Sequence, residues 1–289
     1  MGIIISVHSD RGGTGKTLIS LTLAQSLAIL GNKVCLFDLD THSPSLGDAF
    51  NIEKTQYWVN QYLAGEVNIE KILIDVSKTV DKKDKLFLCP SDPSTKAIRD
   101  ISIKGRKWNM KALGRLLSIR TTLLSDREFD YIILDTHPGL SYSSINAIVT
   151  SDVCLPVINT DATLNKGIKR MISELYDLFE KKTSIIINKV SVRQKPFIKI
   201  EREAILKFEE LLSIPILGVI PCFCDILEAG LNPNFIKSYP SHLFTKILEE
   251  IANKIPDFSS GTVSKRWPKR DLLKKYNEEF IKKVTGFKI

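Results

Sequence analysis

Short runs of apolar, largely β-branched residues alternate along this chain with longer segments whose apolar positions recur every three to four residues. Strands buried on both faces read as continuous apolar runs, and their alternation with helical segments is the sequence form of a parallel sheet wrapped by helices. The strand candidates are Gly2 to Val7, Lys33 to Phe37, Lys85 to Cys89, Tyr131 to Leu134, Val153 to Val157, Ser184 to Ile187 and Ile216 to Ile220. Helices are expected over Lys16 to Leu30, Lys111 to Leu124, Leu164 to Lys181, Lys199 to Leu212 and Ser241 to Lys254, with Gly31-Asn32 stopping the first. The pattern predicts an α/β fold: a doubly wound, mostly parallel sheet of about seven strands flanked by helices. The stretches Lys78 to Lys85 and Asp257 to Ser264 read as loops. The second divides the chain into a main domain, residues 1–258, and an appendage, 259–289.

A chain of 289 residues, 43% hydrophobic, is long enough for one large core. No run approaches the length of a membrane span and the first residues lack a secretory pattern, so the expectation is a soluble, cytoplasmic protein. Met1-Gly2-Ile3-Ile4-Ile5-Ser6 fits a myristoylation pattern, but the same residues form the first strand, and the strand reading is adopted. Of five cysteines, Cys35, Cys89 and Cys154 sit in apolar runs and read as buried thiols; Cys222 and Cys224 have no partner pair that would complete a zinc site. The formal charge of +8 is uneven, because the stretch from Lys265 onward carries nine basic and three acidic residues.

Chemistry enters directly after the first strand. Arg11-Gly12-Gly13-Thr14-Gly15-Lys16-Thr17 leads into the first helix through Leu18, which supplies the strand, loop and helix context of a P-loop. Glycines let backbone N–H groups converge on phosphates, and the helix N-terminus adds partial positive charge at the same point. Lys16 is placed to reach the β- and γ-phosphates and the Thr17 hydroxyl to ligate Mg²⁺, with residues 12–18 as the nucleotide-binding set. Asp10 stands where the motif usually begins with glycine. Glycines followed by Lys-Thr and preceded by a basic residue resemble the deviant Walker A motif of the MinD/ParA family of ATPases, over about the first 255 residues. The resemblance implies an ATP-dependent homodimer, a protein activator and a role in spatial positioning of a cellular cargo. It also implies that Arg11, at the place of the family's lysine, contacts the nucleotide of a partner subunit. Arginine keeps the charge but differs in reach and hydration.

Two further strand ends carry carboxylates. Asp38-Leu39-Asp40 leaves the second strand at the edge where ligands of open α/β sheets bind. It resembles the family's switch I, in which Asp40 matches the residue that positions the attacking water, with Asp38 nearer the Mg²⁺ shell; the alternative is loop capping. Tyr131-Ile132-Ile133-Leu134-Asp135 is an apolar strand ending in an acid, as a Walker B carboxylate does to reach Mg²⁺. Gly139 resembles the switch II glycine, whereas His137 has no assigned duty. Asn188 can pair with the adenine N6/N7 edge, and Ser191 stands where a guanine-reading Asp would be, which favours ATP over GTP. Pro221 resembles a family residue lining the adenine pocket.

From Asp271 to Phe287 the residues Leu272, Leu273, Tyr276, Phe280, Val284 and Phe287 recur at helical spacing, with lysines mostly opposite. Such a basic amphipathic helix suits an anionic membrane surface, a nucleic-acid backbone, or docking on the ATPase body or a partner. A second function class is a metabolic or metallocluster-handling enzyme on the same fold, but the Cys-Xaa-Xaa-Cys of cluster carriers is absent. A tyrosine autokinase predicts a C-terminal tyrosine cluster, where the final 25 residues hold only Tyr276.

Overall fold

The computed structural model describes residues 2–52, 55–160, 164–191 and 197–260. The strands are β1 (Ile3–His8), β2 (Val34–Leu39), β3 (Ile74–Asp75), β4 (Leu86–Cys89), β5 (Tyr131–Thr136), β6 (Val153–Ile158), β7 (Lys182–Thr183), β8 (Ile185–Val190) and β9 (Ile216–Pro221). They form a nine-stranded sheet ordered β3-β4-β2-β5-β1-β6-β8-β9, with β7 pairing β6. All seven expected strands are present. The two additions, β3 and β7, are two residues long, too short to leave an apolar run. All pairings are parallel except β3 with β4 at the edge.

Alternate residues of each strand feed opposite faces. Ile5, Val7, Leu36 and Ile133 join one core cluster, while Ile4, Cys35, Phe37, Ile132 and Leu134 join another. Both faces are therefore dry, which is why these strands lack the polar alternation of a half-exposed sheet. Cys35, Cys89 and Cys154 are buried as expected, and Cys222 and Cys224 are exposed.

Helices cover the faces: α1 (Lys16–Ile29), α2 (Leu46–Ala49), α3 (Val59–Ala64), α4 (Thr95–Ser102), α5 (Arg106–Ile119), α6 (Tyr142–Thr150), α7 (Leu164–Met171), α8 (Phe197–Leu212), α9 (Cys224–Ala229), α10 (Phe235–Ser238) and α11 (Leu243–Ser260). Gly31, at φ +95°, takes the left-handed turn beyond α1. Two expected helices continue as wider π-turns, α5 through Arg120–Ser125 and α7 through Ile172–Tyr176. The helix α6 escaped the sequence pattern because every residue from Ser144 to Thr150 is buried, leaving no polar face to reveal a period. The opposite holds for α4, which has no buried residue.

One expectation is corrected at the C-terminus. Residues 257–260, read as loop, are the last turn of α11, which runs through Pro256. Lys182 Nζ on β7 donates to Ser259 O at 2.6 Å, so a tertiary contact satisfies an end carbonyl and overrides the turn-like composition. The expected tail helix, within 261–289, lies outside the described residues. No helix among the described residues is long and apolar enough to cross a membrane.

Among the described helices, α1 and α11 pack on the same sheet face, with Leu27, Leu248, Ile251 and Ile255 fully or almost fully buried. Truncation of Leu248 leaves a cavity in this contact. Leu248→Ala is expected to lower stability by about 2–5 kcal/mol, measured by denaturant titration; an unchanged midpoint contradicts the assigned packing.

Candidate functional site

The expected site residues converge on one edge of the sheet, at or just beyond the C-terminal ends of β1, β2, β5, β8 and β9. This follows from parallel topology, since every strand end there is followed by a loop on the same side. The loop after β1 turns through Gly13 (φ +74°) and Gly15 (φ +92°) before α1 begins at Lys16. Gly15 has a second reason to lack a side chain, because a Cβ would come within 2.5 Å of Asn188 Nδ2. That amide donates to Thr14 O at 2.8 Å, while Asn188 Oδ1 accepts from Lys189 N at 2.9 Å. Lys189, to which the sequence reading gave no role, donates from Nζ to Gly13 O at 2.8 Å. Thus Asn188 and Lys189 hold the loop's shape. Pro221 is buried at the end of the neighbouring strand, in register with Val190. Leu18 is half-buried against the core.

Lys16 is 6% exposed. Burial lowers its pKa, and Asp135 and Asp40 oppose the shift. Asp135 is fully buried, and its pKa rises from 3.8 to about 6 because of burial, with hydrogen bonds from Thr17 and Ser20 and the charge of Lys16 pulling it down. Ser20 Oγ donates to Asp135 Oδ1 at 2.9 Å, a contact with no sequence signal because Ser20 looks like an ordinary helix residue. Asp135 Oδ2 is buried without a partner, as are Thr14 Oγ1, Thr41 Oγ1 and His42 Nδ1; these are four of seven such side-chain atoms among the described residues. Unsatisfied buried polar atoms are costly, and their concentration here marks a place where a polar ligand belongs.

Asp38 is paired in register with Asp135. Burial raises its pKa well above the carboxylate range, and Asp135 adds to the effect. Expected beside a metal, it engages both carboxylate oxygens with backbone: Oδ1 accepts from Asp40 N at 3.1 Å, and Oδ2 accepts from Ser45 N and Leu46 N at 3.3 Å. Loop capping is what these contacts perform. Asp40 lies just past the strand end. Burial raises its pKa, opposed by the charge of His137, a hydrogen bond from Ser43 N and the charge of Lys16. Arg11 sits at the exposed mouth of the loop, with Nε 3.7 Å from Asp10 Oδ2.

Gly139 is tied to β1. Its N–H donates to Ser9 O at 2.8 Å, and its carbonyl accepts from His8 Nε2 at 3.0 Å. A carbonyl only accepts, so Nε2 carries the hydrogen; the neutral ring's Nδ1 then accepts the Tyr176 hydroxyl at 2.7 Å. This buried chain was invisible in sequence, since 168 residues separate its ends. Beside the loop after β2 lies a cavity of about 410 Å³ lined by Thr41, His42, Trp108, Leu116 and Tyr142 among others. No residue of the phosphate loop lines it, so it adjoins the nucleotide site and is separate from it.

His8 gives a measurable consequence. Burial lowers its pKa from 6.5 to about 4, with the charges of Lys16 and His137 adding to the drop. The unfolded chain therefore binds the proton first, so the neutral ring's contribution is complete above pH 6.5 and is lost as pH falls toward 4. The full loss is roughly 3 kcal/mol. Unfolding midpoints measured across this range should fall more steeply for the wild type than for His8→Gln; parallel profiles would contradict the assignment.

Comparison with known proteins agrees with this geometry. Residues 2–188 match the model of the AAA domain family. An uncharacterized ATP-binding protein of Methanocaldococcus jannaschii is 25% identical over 98% of this chain and 95% of its own length. The septum site-determining protein MinD of Thermotoga maritima is 28% identical over 88% of each chain. Among solved structures, the MinD of Pyrococcus horikoshii complexed with Mg-ADP superimposes with a TM-score of 0.70 at 20% identity, covering 90% of this chain and 98% of that one. The chain belongs to the AAA-domain family matched by residues 2–188, and within it to the MinD/ParA group of P-loop ATPases.

Proposed function

We propose that the protein is an ATP-binding, slowly hydrolysing dimerisation switch of the MinD/ParA type, acting in the spatial positioning of a cellular cargo or of division machinery. The observation that carries the reading is Asp135 Oδ2, a buried carboxylate oxygen without a partner, on a residue already bonded by Thr17 and Ser20 and facing the charge of Lys16. An oxygen donor set of this kind suits a hard divalent cation. Thr17 and Asp135 hold Mg²⁺, with Asp38 acting behind them by ordering the loop that carries Asp40. The phosphates rest on residues 12–18, and a MinD of similar fold was solved in complex with Mg-ADP.

The chain's own residues then divide the work. Lys16 sets its ammonium against the terminal phosphates and offsets charge as it develops there. Bound Mg²⁺ supplies further neutralisation of phosphate charge. Asp40 accepts a hydrogen bond from the attacking water. Asn188 and Pro221 line the adenine side, where the amide hydrogen of Asn188 not used on Thr14 serves the base. Arg11, at the exposed mouth of the loop, reaches the nucleotide of a second copy, which makes the homodimer conditional on ATP. The basic stretch from Lys265, with nine basic and three acidic residues, provides contact with an anionic surface, either lipid or nucleic acid.

The switch is tested by light scattering of Asp40→Ala, in which hydrolysis is blocked, at saturating ATP and Mg²⁺. A doubling of mass that requires ATP and is absent in Lys16→Ala is the expected outcome. A monomer under all conditions sinks the switch reading.

A further inference from the structure

Two histidines join the segments that follow β2 and β5. The rings of His42 and His137 lie with centroids 4.9 Å apart and planes inclined by 60°. Strand register explains the meeting: Asp38 pairs with Asp135 and Leu39 with Thr136, so Asp40 and His137 leave adjacent strand ends side by side. The His137 ring also has a defined orientation of its hydrogen. Nδ1 lies 2.7 Å from Pro138 O, and because a carbonyl only accepts, Nδ1 is the donor. In the neutral ring Nε2 then carries the lone pair and can accept.

We propose that His137 Nε2 is the second acceptor for the attacking water, acting with Asp40, and that His42 is the positioning residue that holds the His137 ring. The inference rests on the ATPase reading. A water bonded to one carboxylate can still swing about that single hydrogen bond. Acceptors on two adjacent strand ends take both of its hydrogens and leave its oxygen lone pair aimed at the γ-phosphoryl group, which is the orientational advantage a catalytic site provides. The water oxygen forms the new bond to phosphorus while the bond to the β,γ-bridging oxygen breaks. The bridging electron pair leaves with ADP, and the water's hydrogens remain with the phosphate product. Neither His137 nor Asp40 needs to keep a proton, as befits a loose transition state.

The arrangement requires the segments after β2 and β5 to be in place together. Asp40 and His42 come with the loop after β2, and His137 comes with the loop after β5. Displacing either loop removes one of the two acceptors.

Two measurements test the proposal. Long-range proton–nitrogen correlation spectra of the ligand-free protein at neutral pH, with the His137 signal assigned by its loss in His137→Gln, should show hydrogen on Nδ1 and none on Nε2. Hydrogen on Nε2 overturns the proposal, since that nitrogen could not then accept. Single-turnover hydrolysis by wild type, His137→Ala and His137→Gln is compared with calorimetric affinity for a non-hydrolysable ATP analogue with Mg²⁺. His137→Ala should slow hydrolysis on the order of 100-fold with unchanged analogue affinity, and His137→Gln, whose side-chain carbonyl also accepts, should recover most of the rate. An undiminished rate in His137→Ala overturns the proposal, and so does a loss of rate that only mirrors lost affinity. Wild-type hydrolysis no faster than that of Lys16→Ala would overturn the ATPase reading itself; normal wild-type hydrolysis with an indifferent His137→Ala overturns this inference alone.

Discussion

Three carboxylates and one ammonium share a nearly dry edge of the sheet: Asp38, Asp40 and Asp135 around Lys16. Like charges at close range in low dielectric repel far more strongly than in water, and a single lysine cannot neutralise three acids. Burial raises the pKa of all three, and repulsion adds to it at Asp38, from Asp135 and Asp40, and at Asp135, from Asp40. Much of the surrounding structure consists of what keeps these groups in place in spite of it. Asp38 is held by three backbone N–H groups and Asp135 by two hydroxyls.

The scaffold is rigid where the site needs it to be. The central strands β1, β2 and β5 are buried on both faces, so the carboxylates at their ends cannot move apart by bending the sheet. The phosphate loop is fixed from the far side by Asn188 and Lys189 on β8. The loop containing Gly139 is fixed from below by Ser9 and by the buried His8–Tyr176 pair. Strain at the edge and rigidity beneath it are two sides of one arrangement, a common pattern in sites built to bind a polyvalent ligand.

Legibility in the sequence followed the range of the interactions. The seven long strands were plain because burial on both faces demands continuous apolar runs, and Lys16, Thr17 and Asp135 were plain because a strand, a loop and a helix start put them in fixed order. The sequence did not show α6, whose period vanishes when both sides are buried, or α4, which buries nothing. Asn188 is expected at the adenine edge, while its bond to Thr14 depends on how closely β8 approaches the phosphate loop and has no sequence signal. Asp38 reads in sequence as lying near the Mg²⁺ shell or as a loop cap, and the turn back through Ser45 and Leu46, which supplies its capping contacts, leaves no local signal. His8 with Tyr176, and His42 with His137, are pairings set by strand order alone, and no local pattern announces them. The last turn of α11 was misread because the bond from Lys182 outweighs its turn-forming residues.

The central claim is that Asp135 is held in a costly charged state for the sake of a cation. With its pKa raised to about 6, its ionisation counts against the ligand-free fold above that pH and ceases to do so as the group protonates below it. Scanning calorimetry of wild type and Asp135→Asn at about pH 7.5, ligand-free and with ADP in the presence or absence of Mg²⁺, tests this directly. The expected result is a ligand-free midpoint a few degrees higher in Asp135→Asn, together with loss of the extra stabilisation that Mg²⁺ adds to ADP. A midpoint that falls, with the Mg²⁺ increment retained, would contradict the account.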